Sequence, residues 1–140
     1  MDLGTEKCVL VVDGGLPLGL IANTAAILGI TLGKEWPETV GAPVLDRSGS
    51  RHLGIIQIPV PILKGTPEGL RELREKLAQP EFQAVSAADF SDLAQSCRTY
   101  EEWTARAAAT PEEELRYVGL ALWGPKKKVD RLTGSLPLLR

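Results

Sequence analysis

Asp13, Gly14, Gly15, Asn23, His52, Asp89 and Lys126 are the residues whose types and positions could support chemistry. Asp13 and Asp89 fall near the ends of predicted strands, where α/β domains place their sites, and two carboxylates can share acid and base duties. His52 is the only histidine. Paired with Cys97 or a serine it would activate a nucleophile, but no local nucleophile signature surrounds any Ser or Cys. A strand-end histidine bonded to its surroundings is the simpler reading. The catalytic candidates are therefore Asp89, His52 and Asp13. One histidine and two distant cysteines do not make a zinc site, so no metal and no cofactor are expected.

Candidate ligand contacts lie elsewhere. Asp13-Gly14-Gly15-Leu16-Pro17-Leu18-Gly19 joins a strand to a helix N-terminus, where backbone donors and the helix dipole can hold an anion. The glycine spacing matches neither the dinucleotide fingerprint nor the phosphate loop, and Asp13 would repel a phosphate, so a tight turn accounts for it more simply. Lys126-Lys127-Lys128 opens a helix whose dipole it opposes, which favours a bound anion over a plain solvated run only slightly. Gly14, Gly15, Asn23 and Lys126 are the ligand-binding candidates.

The elements that must position these residues follow from pattern. Lys7 to Val12 reads as a buried strand, valine-rich and nearly continuous in apolar character. Leu18 to about Leu32 reads as an uncharged helix, apolar almost all round, which predicts burial on more than one side against a sheet and either a second helix or a second subunit. His52 to Gln57 reads as a strand, and Ile58 to Leu63, with prolines at 59 and 61, as an edge or extended connection. Thr66-Pro67-Glu68 caps a helix whose stripe is Leu70, Leu73 and Leu77, with Arg71/Glu75 and Glu72/Lys76 facing solvent. Gln79-Pro80 ends it, and Phe82 to Val85 is a weak strand running toward Asp89. Thr99-Tyr100-Glu101-Glu102 is a capping box that starts a helix with Tyr100, Trp103 and Ala107 inward, and Thr110-Pro111-Glu112-Glu113 a second, one-turn box. Tyr117 to Trp123 is a clear strand stopped by Gly124-Pro125, and Lys126 to Leu132 a short basic helix closed by Gly134. Alternation of helices and strands indicates a layered α/β domain.

With 140 residues, 44% of them hydrophobic, residues 1–140 form one domain. A net charge of −2 and a pI near 5.5 argue against a general nucleic-acid binder, DNA included. Cys8 and Cys97 fit reduced thiols of a cytoplasmic protein, and Met1 to Glu6 lacks the basic start of a secretory signal. The uncharged run from Gly14 to Gly33 is diluted by Pro17, Asn23, Thr24 and Thr31, so no membrane partner is expected.

Three pieces together resemble the type II peptidyl-tRNA hydrolase fold. They are Lys7 to Val12 leading into Gly19-Leu20-Ile21-Ala22, the leucine-rich helix after Ile62-Leu63-Lys64, and the stretch from Tyr117 to Leu139. The last is the most specific, with Val118-Gly119-Leu120-Ala121-Leu122-Trp123-Gly124-Pro125 followed by Val129-Asp130-Arg131-Leu132 and Thr133-Gly134-Ser135-Leu136-Pro137-Leu138-Leu139. Over nearly its full length, including Ala22-Asn23, Asp46 with Gly49, and Tyr100-Glu101-Glu102, the chain looks like an uncharacterised bacterial domain-of-unknown-function branch of that superfamily. The resemblance implies an α/β domain, three-layer α/β/α with a mixed sheet of about four strands, often a homodimer, acting on the ester that joins a peptide to tRNA. Where the hydrolases carry Gly-Lys-x-x-x-Gln-x-x-His along the first helix, this chain has Leu20, Thr24 and Ile27. A leucine neither stabilises developing negative charge nor holds a phosphate. The family's acid corresponds to Asp89, followed here by Phe90 and Ser91. The expectation is a hydrolase-like protein without the usual esterase activity that binds a small molecule, a tRNA-derived ligand or a partner. The alternative is a hydrolase acting through a rearranged site built from Asp13, Asn23, His52 and Asp89.

Overall fold

The computed structural model describes residues 3–140. β1 (Glu6–Asp13) is the hub: every residue from Cys8 to Asp13 is buried, as a strand covered on both faces requires. After it come α1 (Leu18–Glu35), a small two-stranded arm of β2 (Val44–Leu45) and β3 (Arg51–His52), β4 (Ile62–Gly65) and α2 (Pro67–Leu77). β5 (Ser86–Ser91), α3 (Asp92–Ser96), α4 (Tyr100–Ala108), β6 (Tyr117–Pro125) and α5 (Lys126–Thr133) complete the chain. The main sheet is mixed, in the order β4-β1-β6-β5, with β4 parallel to β1 and β6 antiparallel to both its neighbours. The parallel β1–β4 pair needs a long crossover, and α1 with the arm supplies it.

Alternation along the strands divides the interior into two cores. Val9, Val11, Leu120 and Leu122 meet Leu70 and Leu73 of α2 and Val129 and Leu132 of α5 on one face. Cys8, Leu10, Val118, Ala121 and Phe90 meet Leu28 and Leu32 of α1 and Trp36 on the other. At Gly119 a Cβ would lie 2.6 Å from Thr24 Cγ2 and 2.9 Å from Leu28 Cδ1, so the absent side chain is what lets α1 sit directly on β6. The tail closes the outer edge of β4: Lys64 N–H donates to Pro137 O at 2.8 Å and Leu139 N–H to Ile62 O at 2.9 Å. That covers an edge that would otherwise be open to strand addition.

Several elements match expectation in detail. Thr66 Oγ1 accepts from Gly69 N–H at 3.0 Å and caps α2, and Thr99 Oγ1 accepts from Glu102 N–H at 3.1 Å and caps α4. Others differ. Only Thr24, Leu28 and Leu32 of α1 are buried, while Leu18 is 81% and Ile30 74% exposed, because one sheet face covers one side of a helix and no further layer lies outside it. Phe82 and Val85 plug a core from a one-turn 3-10 helix (Pro80–Phe82) and the loop after it, and the strand begins at Ser86 instead. The strand expected at His52 to Gln57 is reduced to a two-residue pairing and a single bridge between Val40 and Ile56. A Cβ at Gly54 would lie 1.7 Å from Gly41 O, so the two stretches pass too close there for any side chain at 54. Tyr100 points outward at 78% exposure, and the turn at Glu112–Glu114 has no side-chain cap. No helix among the described residues is long and apolar enough to cross a membrane.

Candidate functional site

Asp89 sits on β5, the edge strand beyond β6. It lies opposite Leu120 in the antiparallel register. Directly opposed residues share a face, so its carboxylate belongs to the α2 side. There Arg74 Nε stands 3.8 Å from Asp89 Oδ2, and both side chains are about a third exposed, at 36% and 37%. An ion pair of that length and exposure contributes little. Partial burial raises the Asp89 pKa above the ordinary carboxylate value; Arg74 pulls it down and Glu112 adds to the rise. Among the described residues the Asp89 carboxylate accepts no hydrogen bond at all, which leaves its acceptor positions open.

Next to it is a tight network that does not have that freedom. Tyr117 O–H donates to Glu112 Oε2 at 2.6 Å, and the Arg71 guanidinium lies over the Tyr117 ring, 4.9 Å from its centroid. Arg71 also donates to the Glu112 carboxylate and to the carbonyls of Glu112 and Leu115. Burial and the Glu112 bond push the Tyr117 pKa up to about 12, so at neutral pH it is a hydrogen-bond donor and no acid. The same bond, with Arg71, holds the Glu112 carboxyl below its usual value. These groups pin the acidic turn to α2. Arg71, expected to face solvent beside Glu75, has its partner 41 residues away. No local pattern could have shown that pairing.

On the α1 side of β5 lies a cleft of about 440 Å³, lined by Ile27 and Thr31 of α1, Asp89 and Phe90 of β5, and Cys97, Arg98, Tyr100 and Trp103 around α4. Polar and apolar groups contribute about equally to its lining. The Cys97 thiol donates to Leu93 O at 3.2 Å, and Arg106 Nη1 approaches its sulfur at 3.8 Å. Ile27, at the position where the resemblance would have a histidine, forms part of the wall.

The remaining candidates are dispersed. Asp13 is buried at the end of β1, where its Oδ1 accepts from Gly15 N–H at 2.9 Å, while Gly14 N–H donates to Gly65 O at 3.1 Å. The turn's amides are thus used internally, and the stem of Lys64 lies over Gly14, within 2.6 Å of where a Cβ would be. Asn23 is exposed on α1. His52 is exposed on the arm, its Nε2 2.8 Å from Asp46 Oδ2, a bond that lowers the Asp46 pKa along with the amides of Ser50 and Ser48. Lys126 lies at the far end of β1 from Asp13, about 23 Å along the strand, where its N–H donates to Thr5 O at 2.9 Å. Lys126 lines a different cleft, of about 360 Å³, with Lys7 and Ile58. No group of three or more His, Cys, Asp or Glu that could hold a metal ion occurs among the described residues.

A structure titled as a protein of unknown function, Atu0240 from Agrobacterium tumefaciens strain C58, superposes with a TM-score of 0.85 at 17% identity, covering 96% of this chain and 97% of the other. That likeness extends to the fold alone. No curated protein matches the chain. A family profile described as "Protein of unknown function (DUF2000)" matches residues 6–140, and the chain therefore belongs to the DUF2000 family.

Proposed function

We propose that this domain is a peptidyl-tRNA hydrolase II-like scaffold that has lost the ester-cleaving chemistry and works by binding, with the cleft between α1, β5 and α4 as its site. The observation that carries this reading is the state of α1. Leu20 stands for the lysine, Ile27 for the histidine, and Thr24, for the glutamine, is fully buried with its methyl group against Gly119. A glutamine would not fit that space. The Asp89 carboxylate is turned to the opposite face of the sheet, so these positions and the acid do not act on one ligand atom. What remains on the α1 side is a half-polar cleft of about 440 Å³, within the size range of small-molecule sites. Incubating the purified chain with peptidyl-tRNA tests the loss of activity: no turnover above the spontaneous rate is expected. Turnover that disappears in Asp89→Ala would favour the alternative, a hydrolase with a rearranged site.

A homodimer belongs to the same proposal. Leu18 and Ile30 on α1, with Val44, Leu45, Leu53 and Ile55 on the arm, form a large exposed apolar set that a second copy would cover. Sedimentation at micromolar concentration should give the dimer mass, and a stable monomer would remove this part of the reading.

A further inference from the structure

The two outer strands of the main sheet are finished differently. The edge of β4 is closed by the chain's own tail, through Lys64 N–H to Pro137 O and Leu139 N–H to Ile62 O. β5 pairs only with β6, and among the described residues nothing bonds to the backbone groups that Ser86 to Phe90 turn outward. In an antiparallel ladder every second residue points its N–H and C=O away from the neighbouring strand, so this edge offers partners to another strand. Ser86, Ala87 and Asp89 are exposed, and β5 has neither the lysine nor the proline that commonly guards such an edge. The cleft beside α1 reaches this same strand at Asp89 and Phe90, with Tyr100 and Trp103 among its other walls.

We propose that β5 and this cleft together take an extended peptide, added to the edge of the sheet as a further strand, with an apolar side chain in the cleft and a basic side chain beside Asp89. The inference rests on the binding role proposed above for the cleft and names the partner. Side chains of a strand alternate between the two faces, so a peptide that puts one residue toward Phe90 puts its neighbours on the α2 side. There the Asp89 carboxylate accepts no hydrogen bond among the described residues, and Arg74 Nε, at 3.8 Å, is beyond hydrogen-bonding distance. A lysine or arginine of the peptide supplies the missing donor. In strand addition the main chain gives affinity and alternate side chains give specificity. A second copy of β5 fits less well. Two-fold pairing of antiparallel strands keeps like faces together, so centring it on Ala88 or Asp89 sets the two Asp89 carboxylates diagonally or directly opposite, where like charges repel.

The probe is the blocked peptide acetyl-Thr-Lys-Phe-Lys-Thr-amide, titrated into the full chain and followed by amide chemical shifts. It should saturate shifts at Ala87, Ala88, Asp89, Phe90 and Trp103. N-methylating both lysines, or in a second peptide the phenylalanine and the threonines, blocks one peptide edge at a time. One of these two should bind at least about tenfold more weakly than the other, since only one edge faces β5. Replacing both lysines by glutamine should weaken binding about twofold to fivefold, and Asp89→Asn should remove that difference. Strand addition is overturned by the absence of a saturable shift along β5, by equal affinity of the two methylated peptides, or by β5 amides that become protected as protein concentration rises without peptide. If acetylphenylalanine amide binds as tightly as the peptide, strand addition fails and the cleft stands as a small-molecule site. Peptidyl-tRNA turnover that Asp89→Ala abolishes would instead remove the binding role itself.

Discussion

The two faces of the central sheet are made by the same strands and finished differently. On one face α2 and α5, both amphipathic, put their leucine and valine stripes onto Val9, Val11, Leu120 and Leu122 and their charged residues outward. Arg71, Tyr117 and Glu112 then lock the neighbouring turn to that layer. The other face has a single long helix without a charge before Lys34, seated close through Gly119 and flanked by a half-polar cleft on one side and an open apolar groove on the other. Apart from the open carboxylate of Asp89, the α2/α5 face is organised for stability, its Arg71, Tyr117 and Glu112 bonding to one another. The α1 face keeps exposed apolar side chains, Leu18 and Ile30 among them, and in the proposed reading these are the features that binding uses.

The largest test of this contrast is Leu120→Ala, which should cost about 3 kcal/mol of unfolding free energy by denaturant titration, since Leu120 is fully buried in the α2/α5 core. A loss of well under about 1 kcal/mol would mean that the face is not close-packed. Gly119→Ala should cost about 1–3 kcal/mol by overpacking α1 against β6. Adding Thr24→Ala, which removes the methyl group it strikes, should recover part of that loss, and failure of the rescue would place the clash elsewhere. Tyr117→Phe should cost about 1 kcal/mol by leaving Glu112 short of a donor.

The smallest effect is pH-dependent. The raised pKa of Asp89 means that the folded protein holds this proton more tightly than the unfolded chain, so the group lowers stability as pH rises through its folded value. Asp89→Asn should therefore raise the melting temperature slightly at pH 7, with the gain disappearing in buffers below the ordinary carboxylate range. A destabilisation at pH 7 would show that the Arg74 pair outweighs the desolvation.

The elements whose partners are local could be read from the sequence. β1, α2, β6 and α5 follow from apolar runs, leucine spacing and caps such as Thr66, all decided within a few residues. β5 escaped because an edge strand needs little hydrophobicity: Ser86-Ala87-Ala88-Asp89-Phe90-Ser91 buries only its last two residues and takes its conformation from β6. The uniformly apolar α1 was legible as a helix but misleading about its surroundings, since composition says which surface is apolar and not what covers it. Among the site residues, the strand-end position of Asp89 was visible, whereas its orientation depends on register with Leu120.

The central claim, that α1 has become a packing and binding element and no longer supports ester cleavage, is tested most directly by measuring release of free tRNA from peptidyl-tRNA by the purified chain. The account predicts a rate no greater than the spontaneous one, equal in the unmodified chain and in Asp89→Ala. Turnover by the unmodified chain that Asp89→Ala abolishes would contradict it.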